Sequence, residues 1–410
     1  MLNAFINDMK KILSHIALAT ILLLIVSACE INQSDIMPED GFVKIYNHPD
    51  EELALFPESI VEMPDGGFII LSAVKDENAD IEYPYTSLVR TSSSGVVSWT
   101  MDYQWLAPSS QLILQNGSLS FVAMDQQFNA YVVTIDPANG SETAQQALDI
   151  TMPLYSYTDE QGNLLVLGYD FITDASWIAM YNSNFQLQQS NRLHVNTDQL
   201  AYPIQQHLNK MGQDYPFFIG SYSNSSASGY FVNCFYNYTL RTVFLDGTSL
   251  SALGNIYSYQ TEEGISSLIQ KSGILFGLTS YYEGNNYIMS GAEVDVLNSE
   301  NIKDMPAEPL YELTYRAAVM PLRLTTDTEN FTLFASQTND NSLVVYQYAL
   351  ESDSLLNTHT RDFDERVEVR DLIQTADQGI AILAGIYTLG KYKRPLLVKM
   401  PPAQFVPEED

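Results

Sequence analysis

From residue 41 onward the chain alternates short apolar runs with turn residues. The runs are rich in Val, Ile, Tyr, Phe, Leu and Thr, and Gly, Asn, Asp and Ser separate them. Runs of roughly four to eight such residues predict strands, and long stretches with helical spacing are missing. The clearest unit reads Ser59–Ile60–Val61–Glu62–Met63–Pro64, then Asp65–Gly66–Gly67, then Phe68–Ile69–Ile70–Leu71–Ser72–Ala73. Asp-Gly-Gly supplies the positive-φ residues of a tight hairpin, and the unbroken apolar strand after it predicts burial on both faces. A third strand, Ser87–Thr91, and a turn at Ser94–Gly95 lead into a fourth at Val96–Thr100.

The order recurs. First-hairpin turns fall near residues 65, 116, 161, 213, 272, 329 and 378, a period of roughly 50 that suits propeller blades. A four-stranded sheet of this kind cannot bury both faces alone, and radial packing of neighbouring sheets solves that problem. The last copy has three strands and ends in Pro401–Pro402, whereas Gly41–Asn47 is a strand without a partner before the first copy. Pairing the two completes the blade. The predicted fold is therefore all-β, a seven-bladed β-propeller closed by its N-terminal strand. Six or eight blades stay open because the fourth and fifth units diverge. The predicted body spans 41–402, followed by an acidic tail at 403–410.

Asp65–Gly66–Gly67–Phe68 with Leu88–Val89–Arg90, and Asp377–Gln378–Gly379 with Leu397–Val398–Lys399, resemble the propeller repeats common in exported proteins of Bacteroidota. The middle copies drift, with Gly168 and Gly277 as their main echoes. The resemblance covers about residues 54–400 and implies a fold, not an activity. A weaker likeness to quinoprotein-type repeats is confined to Thr134–Gly140.

The N-terminus carries a different signal. Lys10 and Lys11 precede an apolar run from Ile12 to Ala28, which ends in Val26–Ser27–Ala28–Cys29. The run is short for a membrane span, and its small residues before a cysteine resemble a bacterial lipoprotein signal peptide. That resemblance implies cleavage after residue 28 and acylation of Cys29, with residues 29–40 as a flexible polar tether. Several acyl chains hold a protein on a membrane far more lastingly than one. The expected location is the cell envelope, at the outer membrane, with its side left open. The acidic Glu30 and Asp35 resemble surface-export signals of some Bacteroidota.

Cleavage removes Asp8, Lys10 and Lys11, leaving 17 basic and 49 acidic residues and a net charge of −32. Such an excess disfavours nucleic acid and anionic lipid surfaces. Beyond Cys29 the only cysteine is Cys234, in an apolar strand-like run, so no intramolecular disulfide and no paired-cysteine zinc site can form. Cys234 reads as a buried small hydrophobe.

Chemistry is sparse. His48, His194, His207 and His359 lie far apart in sequence and read as surface residues of strands or loops, with no HExxH and no G-x-S-x-G. The acidic stretches Asp76–Asp80 and Asp362–Glu365 read as solvated loops, and either has the oxygen ligands to bind calcium loosely. No other cofactor is expected. Lys391–Tyr392–Lys393–Arg394 reads as a solvated basic loop, or as a contact for acidic partners or lipid phosphates.

Tyrosines placed between strands give the better hint, because exposed rings offer rigid contact area with a polar edge. The candidate partner contacts are Trp105, Tyr222, Tyr281 and Tyr282, with Tyr83, Tyr85 and Tyr392 similarly placed. Two functions follow. One is a membrane-anchored, non-catalytic binding or scaffold module for a protein or glycan partner. The other is a polysaccharide-active enzyme, a glycoside hydrolase or lyase, with carboxylates and tyrosines in the central funnel. No oligomer is predicted.

Overall fold

Asp65 and Arg90 explain why the repeat needs the residues it has. Gly66 takes φ +78° at the hairpin, and a Cβ on Gly67 would lie 2.2 Å from the Thr91 carbonyl oxygen. With the turn that close to the third strand, Arg90 reaches back to the Asp65 carboxylate. The last repeat is built the same way. Gln378 takes φ +68°, a Cβ on Gly379 would lie 2.4 Å from the Met400 carbonyl oxygen, and Lys399 Nζ binds Asp377 at 2.8 Å. The acidic residue that opens the turn and the basic residue that ends the third strand are thus one ion pair.

The computed structural model describes residues 41–76, 83–115, 117–197, 200–388 and 392–405. The predicted signal peptide, Cys29 and the predicted tether, residues 77–80 of the first acidic loop, Lys391 and residues 406–410 of the predicted tail lie outside them. The strands form six hydrogen-bonded sheets, all antiparallel within each blade. The largest consists of two four-stranded sets joined only at Leu106 and Met124. Seven four-stranded blades result.

Their inner strands, in order, are Leu53–Glu62, Ile113–Gln115, Tyr155–Thr158, Phe218–Ser223, Gly264–Ser272, Met320–Thr325 and Val367–Gln374. Neighbouring inner strands touch around the ring, and the seventh packs against the first. Blades one and two meet where the Leu112 amide donates to Ser59 Oγ at 3.1 Å, and blades two and three meet at the Ser110–Tyr155 bridge.

The core is divided into seven apolar layers, one between each pair of neighbouring blades. Between blades seven and one, for example, Leu383 and Leu397 meet Ile60, Phe68 and Ile70. Each fully buried Leu, Ile or Phe contributes about 1.5–3 kcal/mol relative to exposure, so every layer depends on both of its sheets. Cys234 is fully buried between blades three and four.

The chain closes as its strand pattern predicts. Phe42–Ile45 pairs antiparallel with Leu396–Lys399 and forms the outermost strand of blade seven. The body also runs past the predicted boundary at 402, since Phe405 is buried between blades six and seven and its carbonyl accepts from Gln347 Nε2 at 2.8 Å. An arm from blade five adds Ser299–Asn301 in parallel to Ala252–Tyr257 and covers the outer edge of blade four. Between blades five and six the buried Lys271 ammonium donates to the carbonyls of Ser290 (2.8 Å), Ala349 (2.7 Å) and Ser352.

Three expectations need correction. Gln213–Asp214 is not the first hairpin of blade four. The strand after it, Phe218–Ser223, is the inner strand, and the hairpin lies at 224–227. Lys393 and Arg394 are buried, not solvated, because Lys393 pairs with Glu368 and Arg394 donates to the carbonyls of Leu53 and Glu51 across the closing seam. His48 and His207 are likewise buried. His48 Nε2 lies 2.9 Å from Asp102, and an eight-residue helix that the strand pattern hides carries His207.

Candidate functional site at the connecting face

The two faces of the ring differ in what they carry. One face bears the first and third hairpin turns of each blade. The other bears the second turns and the connections from each outer strand to the next inner strand, and its longest connection, 195–217, runs from blade three to blade four. Within it helix α1, Ala201–Leu208, forms without a side-chain cap at Leu200. Such a short helix has little stability of its own. Tertiary burial of Ile204 and Leu208 in the layer between blades three and four holds it.

Beyond the helix the chain reaches blades one and seven on the far side of the ring. Lys75 Nζ donates to the Asn209 carbonyl at 2.9 Å, and Lys210 pairs with Glu58 at 2.7 Å. Asp214 pairs with Arg370 of the seventh inner strand and lies 2.9 Å from His207 Nδ1. Arg370 in turn contacts Glu368 at 3.3 Å, which binds Lys393 and Arg366. The segment therefore spans the channel mouth, stapled by charges on the opposite wall.

Electrostatics at the mouth follow from these pairings. Burial alone would raise the Asp214 carboxyl, but Arg370 and His207 beside it hold it well below the usual range. Glu368 is held low against burial by Lys393 and Arg370. Burial, with Arg370 nearby, pushes the Lys393 amine down to about 8. Asp371 goes the other way. Burial raises its carboxyl, although it accepts from the Ile60 amide (2.9 Å) and Ser59 Oγ (3.0 Å). Asp214 and Asp371 thus tie distant parts of the ring together, whereas Glu368 is held by cations of its own blade. Among the described residues, no group of three or more His, Cys, Asp or Glu is placed to hold a metal ion, and no helix is long and apolar enough to cross a membrane.

The aromatic candidates divide. Tyr222 is 3% exposed, with its hydroxyl donating to the Leu245 carbonyl, and Tyr281 is 2% exposed. Both sit on strands, where alternation turns the ring into an inter-blade layer or the inner wall, so neither offers free contact area. Tyr83 is buried too. Trp105 is half-buried, tilted on Tyr131 at 4.8 Å, with Nε1 donating to Glu142 at 3.1 Å. Tyr282 is half-buried and stacks on Tyr287 at 3.9 Å.

The exposed rings are others. Phe171, Tyr202, Tyr238, Tyr259, Tyr311 and Tyr315 are the exposed aromatics among the described residues, and all lie in second turns or connections of blades three to six. None lies on the opposite face. Sequence reading missed both this asymmetry and the crossing segment. The usable signal was the length of 195–217, together with the helical spacing of Ile204, His207 and Leu208.

No family model matches the chain, and no curated protein matches it. Solved structures similar to it include the Dos1 propeller, at 12% identity over 88% of this chain and 97% of that one with a TM-score of 0.42. The WD40 β-propeller domain of Doa1 is similar at 8% identity over 88% and 95%, with a TM-score of 0.48. The β-propeller domain of the Trilobed protease from Pyrococcus furiosus, described as having an open velcro topology, is similar at 6% identity over 85% and 95%, with a TM-score of 0.44. Strand pairing and the seven core layers define the propeller.

Proposed function

We propose that this chain is a non-catalytic binding module of the cell envelope, held on the outer membrane by acylated Cys29 and taking a protein partner on the connecting face of its propeller. The observation that carries this reading is the confinement of the exposed aromatics to that face. Tyrosine is enriched where proteins meet. The mouth supports it further, since the crossing segment spans it and Glu58, Asp214 and Glu368 there are paired with cations. The lysines, apolar run and small residues before Cys29 support the anchor.

The test combines fractionation, protease shaving of intact cells and pull-down of the tethered protein. Wild type is expected in the membrane fraction with a stable partner. Cys29→Ser is expected to leave that fraction, and Tyr202→Ala with Tyr259→Ala to lose the partner while keeping the wild-type melting temperature. Hydrolysis of a defined glycan, abolished by changing a channel carboxylate such as Asp371, would replace this reading with the polysaccharide-active one.

A further inference from the structure

The connecting face over blades four to six is rich in tyrosine and carboxylate and poor in cations. The stretches 257–263, 281–287 and 300–316 carry seven carboxylates, against Lys303 and Arg316 as their only cations. Both cations are already taken. Arg316 pairs with Glu262, and its guanidinium lies 5.4 Å from the ring centres of both Tyr281 and Tyr315. Lys303 sits between Glu263 (2.9 Å) and Glu283 (3.0 Å), 5.9 Å from the Tyr282 ring. A third cation repeats the arrangement nearby, with Arg241 at 5.1 Å from the Tyr257 ring.

These contacts make one continuous surface. Tyr257 meets Tyr259 edge-on at 5.2 Å, Tyr315 donates to the Glu262 carbonyl at 3.1 Å, and Lys303 joins the connection at Glu263 to the turn at Glu283. Its outer rings hold no cation. Tyr259 is 73% exposed and Tyr311 is 72% exposed, and neither lies under an arginine or lysine among the described residues. Tyrosine faces attract cations through the ring quadrupole, and carboxylates at their edges strengthen the attraction. The face thus offers to a partner the seat that its own Arg316 fills internally.

We propose that the connecting face over blades four to six binds a lysine- or arginine-bearing polypeptide segment, with the partner's cations seated on Tyr259 and Tyr311 and paired to exposed carboxylates of the same stretches such as Asp304 and Glu308. This rests on the reading of that face as the docking surface. Charge complementarity selects the occupant. A chain of net charge −31 repels another acidic surface, including a second copy of itself.

The experiment uses fluorescence anisotropy of the mature full-length protein with a labelled nonapeptide of alternating arginine and serine. The same peptide with citrulline in place of arginine is the neutral control. Binding is expected for the arginine peptide alone. Tyr259→Ala with Tyr311→Ala, which leaves net charge unchanged, is expected to weaken it at least about fivefold, as is Asp304→Asn with Glu308→Gln. Asp327→Asn with Glu329→Gln removes the same charge from a hairpin turn on the opposite face and is expected to leave binding within about twofold. Equal losses from both carboxylate pairs with none from the tyrosine pair would mean diffuse attraction and overturn the inference. So would absence of binding by wild type. If the tyrosine variants still lose the cellular partner in that case, the docking face stands and only the basic-segment inference falls. If partner capture is untouched, both fall.

Discussion

Asp214 and Arg370 form an ion pair across 156 positions of sequence, joining the segment between blades three and four to the inner strand of blade seven. The pair is the far anchor of the crossing segment. Arg370→Met leaves Asp214 without its principal cation, and the expected loss is about 2 kcal/mol in urea unfolding. That is below the roughly 3–5 kcal/mol of a fully buried pair, because Asp214 keeps 39% side-chain exposure. Adding Asp214→Asn is expected to recover part of the loss, which a double-mutant cycle reads directly.

Acid should loosen this region first. Asp214 and Glu368 titrate lower in the folded chain than their ordinary values of 3.8 and 4.5. Their contribution is therefore complete above about pH 4.5 and is lost as pH falls through the lower folded values. Hydrogen exchange is expected to show amides 209–217 opening before the outer strands as pH drops from 5 to 3.

Lys393 has the opposite sign. Its folded value of about 8 lies below the ordinary 10.5, so the unfolded chain binds more protons between those limits. Stability is expected to rise from pH 8 towards pH 10, until ionisation of tyrosines offsets it. Lys393→Met is expected to flatten the rise, as read from urea midpoints across that range.

Removing the closing strand tests the ring itself. A chain beginning at residue 47 loses the pairing of Phe42–Ile45 and the burial of Tyr46. The expected cost is about 3–5 kcal/mol from the apolar groups released. The freed edge of Tyr392–Met400 should promote self-association. Thermal melts and size-exclusion chromatography measure the two effects.

Lys271 probes a different seam. Lys271→Met deprives three carbonyls, one buried and two part-buried, of their shared donor, and the expected loss is about 2 kcal/mol. Blades five and six should separate more readily in hydrogen exchange, while the arginine peptide should bind as before.

Most of the architecture is legible in local pattern, because each blade is specified by its own turns and runs. The Asp65 and Asp377 hairpins, the unpaired strand at Gly41–Asn47 and burial of Cys234 can all be read from residues close together in the chain. The crossing segment cannot. Its helix leaves only the single-turn spacing of Ile204, His207 and Leu208 as a trace, and its fastenings, Lys210 to Glu58 and Asp214 to Arg370, join residues that only the closed ring brings together. Burial misleads in the same way. Lys393 and Arg394 look like a solvated loop until the inner strand of the same blade supplies Glu368 and the closing seam supplies the Leu53 carbonyl, and Tyr222 looks free until its strand turns it inward.

The pairing of Phe42–Ile45 with Leu396–Lys399 has a consequence for how the molecule is made. The first strand of the body cannot find its partner until residues 396–399 have been synthesised, so blade-by-blade assembly leaves an incomplete circle with its end sheet one strand short. Contacts this distant in sequence slow folding. The interval before the clasp shuts is when the unfinished edge is most open to a chaperone, or to a neighbouring chain.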